Sequence, residues 1–348
     1  MTVLVTDRLT SDYQVFTLED GGRIANVGKR MQQKLQAVPL KDHLDGKTVL
    51  DVGTDFGFWA FLAAERGAKH VLGLDRNRVL KGVGLVDLVL RNQEVAQEYK
   101  LPCEFRKINL GKQWHEFGKF DVVLCMSMYH HVFQACGDHD AIFFWLWRHT
   151  EQDGEVIWEN PVDCSDAVVR INMSADYMGR YTSGRILRAA SKYFDVQKIG
   201  AAIHEPTREV WRLTPVRDPF DYTSKAIHVS GAGGATKAFE HFGSRRIREI
   251  ENALGVRPIP GSLNLMAGAN FDWAHGGYRV QILDPEIRGL PSAHWAPRWC
   301  RYYPVEIDGT PAYAMRFEGE SYPENFVELI AAERLSERLK SGEGLLVR

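Results

Sequence analysis

Cysteine is scarce and shows no pairing pattern. Cys103, Cys125, Cys136, Cys164 and Cys300 are an odd, scattered set of five with no C-x-x-C. Such a set suits neither a disulfide framework nor a zinc site, and reduced thiols in a cytoplasmic protein are the expectation. No apolar run approaches the roughly 20 residues that cross a bilayer, and the opening Met1 to Arg8 lacks the apolar core of a secretory signal, so no membrane association is expected. An excess of either charge is missing as well: 43 basic against 45 acidic residues leave a formal net charge of -2. A global basic field is thereby excluded, and tight nonspecific nucleic-acid binding is disfavoured. What remains is an ordinary globular composition, 45% hydrophobic and 25% charged. At 348 residues the chain exceeds the usual single core, so two domains are the default.

Two nucleotide signatures are also absent. The dinucleotide fingerprint G-x-G-x-x-G does not occur at the one place where a strand breaks into a glycine turn and a helix, and the glycine-rich loop that follows His228 lacks the G-K-[ST] ending of a Walker motif. The turn in question is Thr48-Val49-Leu50-Asp51-Val52-Gly53-Thr54-Asp55-Phe56-Gly57-Phe58-Trp59. Thr48 to Val52 is a short β-rich apolar run of the kind covered on both faces of a parallel sheet. Gly53 and Gly57 permit a sharp turn and close approach of a ligand to the backbone. Phe58 to Arg66 repeats apolar residues at helical spacing and stops at Gly67. A second strand, Val71 to Asp75, ends in a carboxylate, which in doubly wound folds accepts hydrogen bonds from ribose hydroxyls.

The alternation continues with a helical region through Tyr99, a third strand from Cys103 to Asn109, and a fourth from Phe120 whose exit loop carries Ser127 to His131. A helix from Asp140 to His149 and a strand from Glu155 to Glu159 follow. Ligands bind at the carboxyl ends of such strands, so Ser127 to His131 should face the reactive end of a cofactor. His130 is the candidate general base, since imidazole titrates near neutral pH; packing against, or capping, the following helix is an equal alternative for it.

From Asp20 to Pro215, this half resembles the S-adenosylmethionine (SAM) dependent class I methyltransferases, in particular the group related to the enzymes that make wobble-uridine oxyacetate in tRNA. The resemblance rests on Val49 to Gly53, on Phe120-Asp121 followed by Met128-Tyr129-His130, and on Arg170-Ile171-Asn172-Met173. It implies that Asp51 opens the cofactor loop of Gly53, Asp55 and Gly57, that Asp75 holds the ribose, and that Asn109 lies near the adenine amine. Asp55 replaces the middle glycine of the family loop.

Around Leu213 to Asp221 two prolines mark a linker. Beyond it, His228 to Phe239 reads as a strand opening into a glycine-rich loop able to cradle phosphates. Ser262 and Asn264 sit two apart on an expected strand, so both emerge on one face, where hydroxyl and amide oxygens suit Mg²⁺. With Pro260-Gly261-Ser262-Leu263-Asn264, Tyr322-Pro323, and an Arg334 to Leu339 helix before Gly342-Glu343-Gly344, residues 227–347 resemble the CTP-dependent riboflavin kinases known from archaea, a small β-barrel family. That resemblance implies Ser262 and Asn264 as magnesium ligands, Gly231, Gly233, Gly234 and Lys237 on the triphosphate, and Glu328 near the acceptor hydroxyl. It also turns Phe326 to Leu339, one amphipathic helix by periodicity, into a strand and a separate helix. The bulky Trp299 to Tyr303 and the long stretch from Ala267 to Pro297 depart from that family.

The expected fold is α/β: a Rossmann-like methyltransferase sheet over 1–216, a linker over 217–226 and a riboflavin-kinase-like barrel over 227–348. The expected function is bifunctional, with SAM, CTP and Mg²⁺ as cofactors and a small-molecule, nucleotide or sugar acceptor that is phosphorylated and then methylated. The alternatives are a methyltransferase whose barrel only binds, and a tRNA-modifying enzyme with Lys29, Arg30, Arg170, Arg180 and Arg185 as its basic surface.

Overall fold

The structure is a computed structural model and describes residues 3–4, 14–38, 40–76, 78–80, 84–161, 163, 166–202, 205–217, 219–220, 222–229, 246–260, 262–282, 298–319, 321–335, 339 and 343–348. The chain divides into two compact units, one of residues 1–110 with 117–217 and the other of 111–116 with 218–348. None of the described helices is long and apolar enough to cross a membrane.

The first unit is built on seven strands: β1 (Thr48–Val52), β2 (His70–Asp75), β3 (Cys103–Lys107), β4 (Phe120–Met126), β5 (Thr150–Pro161), β6 (Phe194–Ala202) and β7 (Glu205–Pro215). They lie in the order β3-β2-β1-β4-β5-β7-β6. Pairings among the first five are parallel, and β7 runs antiparallel to both its neighbours. This is the Rossmann-like α/β sheet expected from the sequence. The helix Phe58–Glu65 is apolar on every side and buried from Phe58 to Ala63, as a helix covered all round must be. Its cover includes the N-terminal hairpin of Thr17–Glu19 and Arg23–Ala25, where Phe16 meets Phe58 edge to face at 5.2 Å.

Several local expectations change. The region after Asp75 is not helical at once: a hairpin of Arg78–Leu80 and Gly84–Val86 precedes the helix Leu88–Glu98, which Asp87 caps through the Leu90 amide. The third strand stops at Lys107, short of Asn109. Tyr129, His130 and His131 are the first turn of the helix Tyr129–Cys136, not an exit loop. The fifth strand, expected from Glu155, starts at Thr150, and Gly154 lies within it at an irregularity of its pairing with β4 between Thr150 and Glu155.

The second unit is an antiparallel barrel of β8 (Thr223–His228), β9 (Leu263–Ala267), β10 (Tyr278–Ile282), β11 (Arg298–Ile307), β12 (Thr310–Phe317), β13 (Phe326–Ile330) and β14 (Glu343–Val347). The order is β10-β11-β12-β13-β9-β8-β14, and pairing of β11 with β14 closes six strands into a ring, with β10 added at the edge of β11. Residues 223–226, expected in the linker, are the first part of β8 because its alternating Ser224 and Ala226 are buried. Phe326–Ile330 is a strand: it pairs with both β9 and β12 and places Val327 and Leu329 in the barrel core, so pairing overrides the helical periodicity.

Candidate functional site

The parallel register brings the ends of β1, β2, β4 and β5 to one edge. Val52 pairs with Leu74 and Cys125, and Met126 with Glu159. Just beyond these ends lies a cavity of about 340 Å³ bordered by Arg30, Gly53, Asp55, Asp75, Arg76, Met126, Ser127, Met128, His130, His131 and Arg208. Of the residues singled out in the sequence for this unit, Gly53, Asp55, Asp75, Ser127 and His130 border it. Asp51, Gly57 and Asn109 do not.

Gly53 turns the chain at φ 78°, and its amide and that of Thr54 both donate to the Leu74 carbonyl. A Cβ at Gly53 would lie 2.7 Å from the Met128 side chain, so only glycine fits. Asp55 takes φ 50°, the left-handed region that aspartate tolerates better than most residues, which is how it occupies a glycine position. Its amide donates to Asp75 Oδ2 at 2.6 Å, and its carbonyl accepts from Nδ2 of the buried Asn92 at 2.8 Å. Gly57, at φ 85°, precedes the helix Phe58–Glu65. Asp51 is enclosed in the sheet, and burial, reinforced by Asp75 and Asp55, pushes its carboxyl up to about 7 against the Thr54 hydroxyl and the Ala60 backbone.

Beside the cavity sits a buried polar cluster that single-residue patterns do not disclose. Ser127, itself at φ 58°, donates its hydroxyl proton to Glu159 Oε2 at 2.8 Å and accepts from Lys34 Nζ at 2.9 Å and Arg208 Nη1 at 3.0 Å. One proton and two lone pairs are all a hydroxyl has, so the Ser127 side chain is committed to protein partners. Lys34 also donates to Glu159 Oε2 at 2.7 Å, with both side chains 1% exposed, and Arg208 Nε donates to Asp166 Oδ2 at 3.2 Å. Lys34 and Arg208 read in sequence as ordinary surface charges. A signal for Lys34 exists in hindsight: it falls on the same helix face as the buried Met31.

His130 is 2% exposed, and burial, aided by Arg208 and opposed by Asn160 and Asp166, pushes its imidazole down to about 4. It is therefore neutral at pH 7. Its Nδ1 lies 3.3 Å from Asn160 Oδ1, while its Nε2 has no hydrogen-bond partner among the described residues. His131 packs on the His130 ring with centroids 4.1 Å apart. Of the basic residues proposed for RNA contact, Arg30 borders the cavity and Arg180 lies over Tyr177.

In the barrel, β9 alternates. Leu263, Leu265 and Ala267 enter the core, which leaves Ser262 and Asn264 on the opposite face. Asn264 stands directly across from Glu328, and the Ser262 hydroxyl donates to Glu328 Oε1 at 2.6 Å. The strands thus bring all three oxygen-bearing side chains together. Across the same face the register runs from Glu328 to Met315, Tyr302 and Tyr278. The bulky Trp299 to Tyr303 segment is absorbed by alternation: Tyr303 packs in the core, while Cys300 and Tyr302 lie buried on the other face. Burial pushes the Cys300 thiol up to about 12 and the Tyr302 phenol well above its usual range, so neither is ionised at neutral pH. Gly231, Gly233, Gly234 and Lys237 lie outside the described residues, as do residues 336–338 of the helix expected from Arg334 to Leu339.

Comparison with known proteins finds relatives of two kinds. Residues 229–348 match the family CTP-dep_RFKase, described as domain of unknown function DUF120. Among curated proteins the chain is 37% identical over 89 residues to the ubiquinone biosynthesis O-methyltransferase of Acinetobacter baumannii (strain AYE), covering 26% of this chain and 35% of that protein. It is 32% identical over 96 residues to the riboflavin kinase of Methanocella arvoryzae, covering 28% of this chain and 42% of that protein. The chain thus spans well under half the length of each. Among solved structures, an S-adenosylmethionine-dependent methyltransferase from Mesorhizobium loti aligns over 53% of this chain and 95% of its own, with 15% identity and a TM-score of 0.37. The chain joins a methyltransferase-like unit to a riboflavin-kinase-like barrel.

Proposed function

We propose that the first unit transfers a methyl group from SAM to a small protic acceptor, a nucleotide or a sugar among them, and that the barrel is a CTP-dependent, magnesium-requiring kinase acting on the same molecule first. The observation that carries the methyltransferase reading is the cavity itself. It collects a glycine turn, the carboxylate ending β2, and a neutral imidazole at the carboxyl edge of the parallel sheet.

The residues present fit the cofactor. Gly53 keeps the approach to the turn open, Asp75 offers the acceptor oxygens that ribose hydroxyls require, and Asp55 stands where the family loop has glycine. When bound, SAM supplies an electrophilic methyl group, so the protein's work is alignment and exclusion of water. Ser127, held at three points, and the Lys34–Glu159 pair fix the wall beneath the acceptor. His130, a neutral imidazole at the border of the cavity, would receive the acceptor's proton.

In the barrel, Ser262 Oγ and the Asn264 amide oxygen would hold the magnesium ion, and the choice of oxygen donors suits a hard cation. Magnesium would neutralise charge on the transferred phosphoryl group. Glu328, which accepts from the Ser262 hydroxyl, would face the acceptor hydroxyl.

Calorimetric titration with SAM, and separately with CTP and Mg²⁺, tests both halves. SAM should bind at one site per chain, and Asp75→Ala should weaken it at least about tenfold, the scale of a lost charge-assisted hydrogen bond. Absence of SAM binding would refute the transferase. SAM binding without CTP binding would reduce the barrel to a recognition module.

A further inference from the structure

We propose that Asn160 is a positioning residue that, backed by Tyr181 and the Pro161 carbonyl, holds His130 as its Nδ1–H tautomer and so makes Nε2 the atom that takes the acceptor's proton. The inference deepens the methyl-transfer reading and rests on it for the role of that proton.

The geometry leaves little choice. Asn160 is fully buried, and its Nδ2 contacts both the Pro161 carbonyl oxygen and the Tyr181 hydroxyl. A carbonyl only accepts, so the group facing it must be the NH₂. The Tyr181 hydroxyl gives its own proton to the same carbonyl at 2.7 Å and therefore receives the second Asn160 proton on its lone pair. Both amide protons are then used and the amide cannot flip. What Asn160 turns toward His130 Nδ1, 3.3 Å away, is Oδ1, which has no proton to give. In a neutral imidazole one nitrogen carries hydrogen and the other a lone pair, so the hydrogen sits on Nδ1 and the lone pair on Nε2. Nε2 is the nitrogen with no partner among the described residues; the atom is buried, within a side chain that borders the cavity.

An amide in this place differs from a carboxylate. It fixes the tautomer without adding the negative charge that would hold the ring as imidazolium. The charged groups that reach His130 from neighbouring elements are Arg208 on β7 and Asp166, which are bonded to each other, and the neighbouring ring is that of His131. In the step itself the acceptor's O–H or N–H bond breaks, its electron pair forms the new bond to the methyl carbon, and the methyl's bond to sulfur breaks with its pair left on sulfur. The acceptor's proton ends on Nε2, and the imidazolium returns it to water.

Long-range proton–nitrogen NMR of the full chain with labelled histidine reads the tautomer directly. The signal of His130 among the 12 histidines is found by its loss in His130→Gln. The wild-type protein should show Nδ1 protonated and Nε2 bare at about pH 7. Asn160→Leu should release the ring to a mixed or Nε2–H form. Asn160→Asp should keep the Nδ1–H tautomer while raising the proton affinity of the ring at least about tenfold. A wild-type ring protonated on Nε2, or an Asn160→Leu ring unchanged, would overturn the proposal. If Asn160→Leu does not fold, the wild-type pattern and the Asn160→Asp titration decide. The two readings fail separately: an Nδ1–H ring in a protein that binds no SAM sinks only the transferase, and an Nε2–H ring in a SAM-binding protein sinks only the role of Asn160.

Discussion

Two buried titratable residues pull the stability of the first unit in opposite directions. Asp51, 1% exposed, has its carboxyl raised from 3.8 to about 7, so the folded protein holds a proton there that the unfolded chain releases. Its contribution is favourable below about pH 4 and is lost as pH rises through about 7, a change of order 4 kcal/mol at 1.36 kcal/mol per pH unit. His130, lowered from 6.5 to about 4, does the reverse. Its contribution is complete above about pH 6.5 and is lost as pH falls through about 4. Between those limits the two offset, so the wild-type profile should be flat and a single variant should expose the slope. Asp51→Asn should gain stability relative to wild type as pH rises from about 4 to about 7, with no further gain above about 8, measured by thermal melting across that range. A constant difference between the two proteins would show that Asp51 ionises normally.

At the scale of elements, the helix Lys29–Ala37 is tied to β5, to β7 and to the turn just after β4 by the buried cluster of Lys34, Ser127, Glu159 and Arg208. Removing one partner of a buried ion pair leaves the other charge uncompensated, at about 3–5 kcal/mol. Lys34→Met should cost that much in denaturant unfolding, and pairing it with Glu159→Gln should recover more than half. An additive loss in the double variant would mean that the two side chains are not coupled. The same scale explains which partner an apolar run takes. Apolar periodicity finds an element but does not show which partner will pair with it. Phe326–Ile330 became a strand because β9 and β12 offer hydrogen bonds on both sides, and 223–226 joined β8 because Gly344 to Val347 pair with it.

For the whole molecule, the two units carry separate candidate sites, and the variants that test one should leave the other alone. Ser262→Ala with Asn264→Ala should abolish magnesium-dependent CTP turnover while SAM affinity stays within about twofold, because oxygen donors for a hard ion are lost without touching the parallel sheet. CTP turnover that survives both changes would remove the assignment of these residues. The sequence by itself determined what depends on short spacing along the chain. This includes the strand, turn, helix and acid of Thr48 to Asp75, the order of elements that makes a parallel sheet, and the alternation that sets Ser262 and Asn264 on one face. Only the tertiary structure decided which distant groups meet. Ser127 was expected to face a ligand, yet its hydroxyl is taken up by residues 32, 81 and 93 positions away. Asn160 and Tyr181 carry no motif, and their hold on His130 exists because the end of β5 lies beside the first turn of the helix Tyr129–Cys136. Hydrogen bonds between distant side chains depend on where strands stop and how the sheet closes, and those are set by burial and register summed over the whole fold.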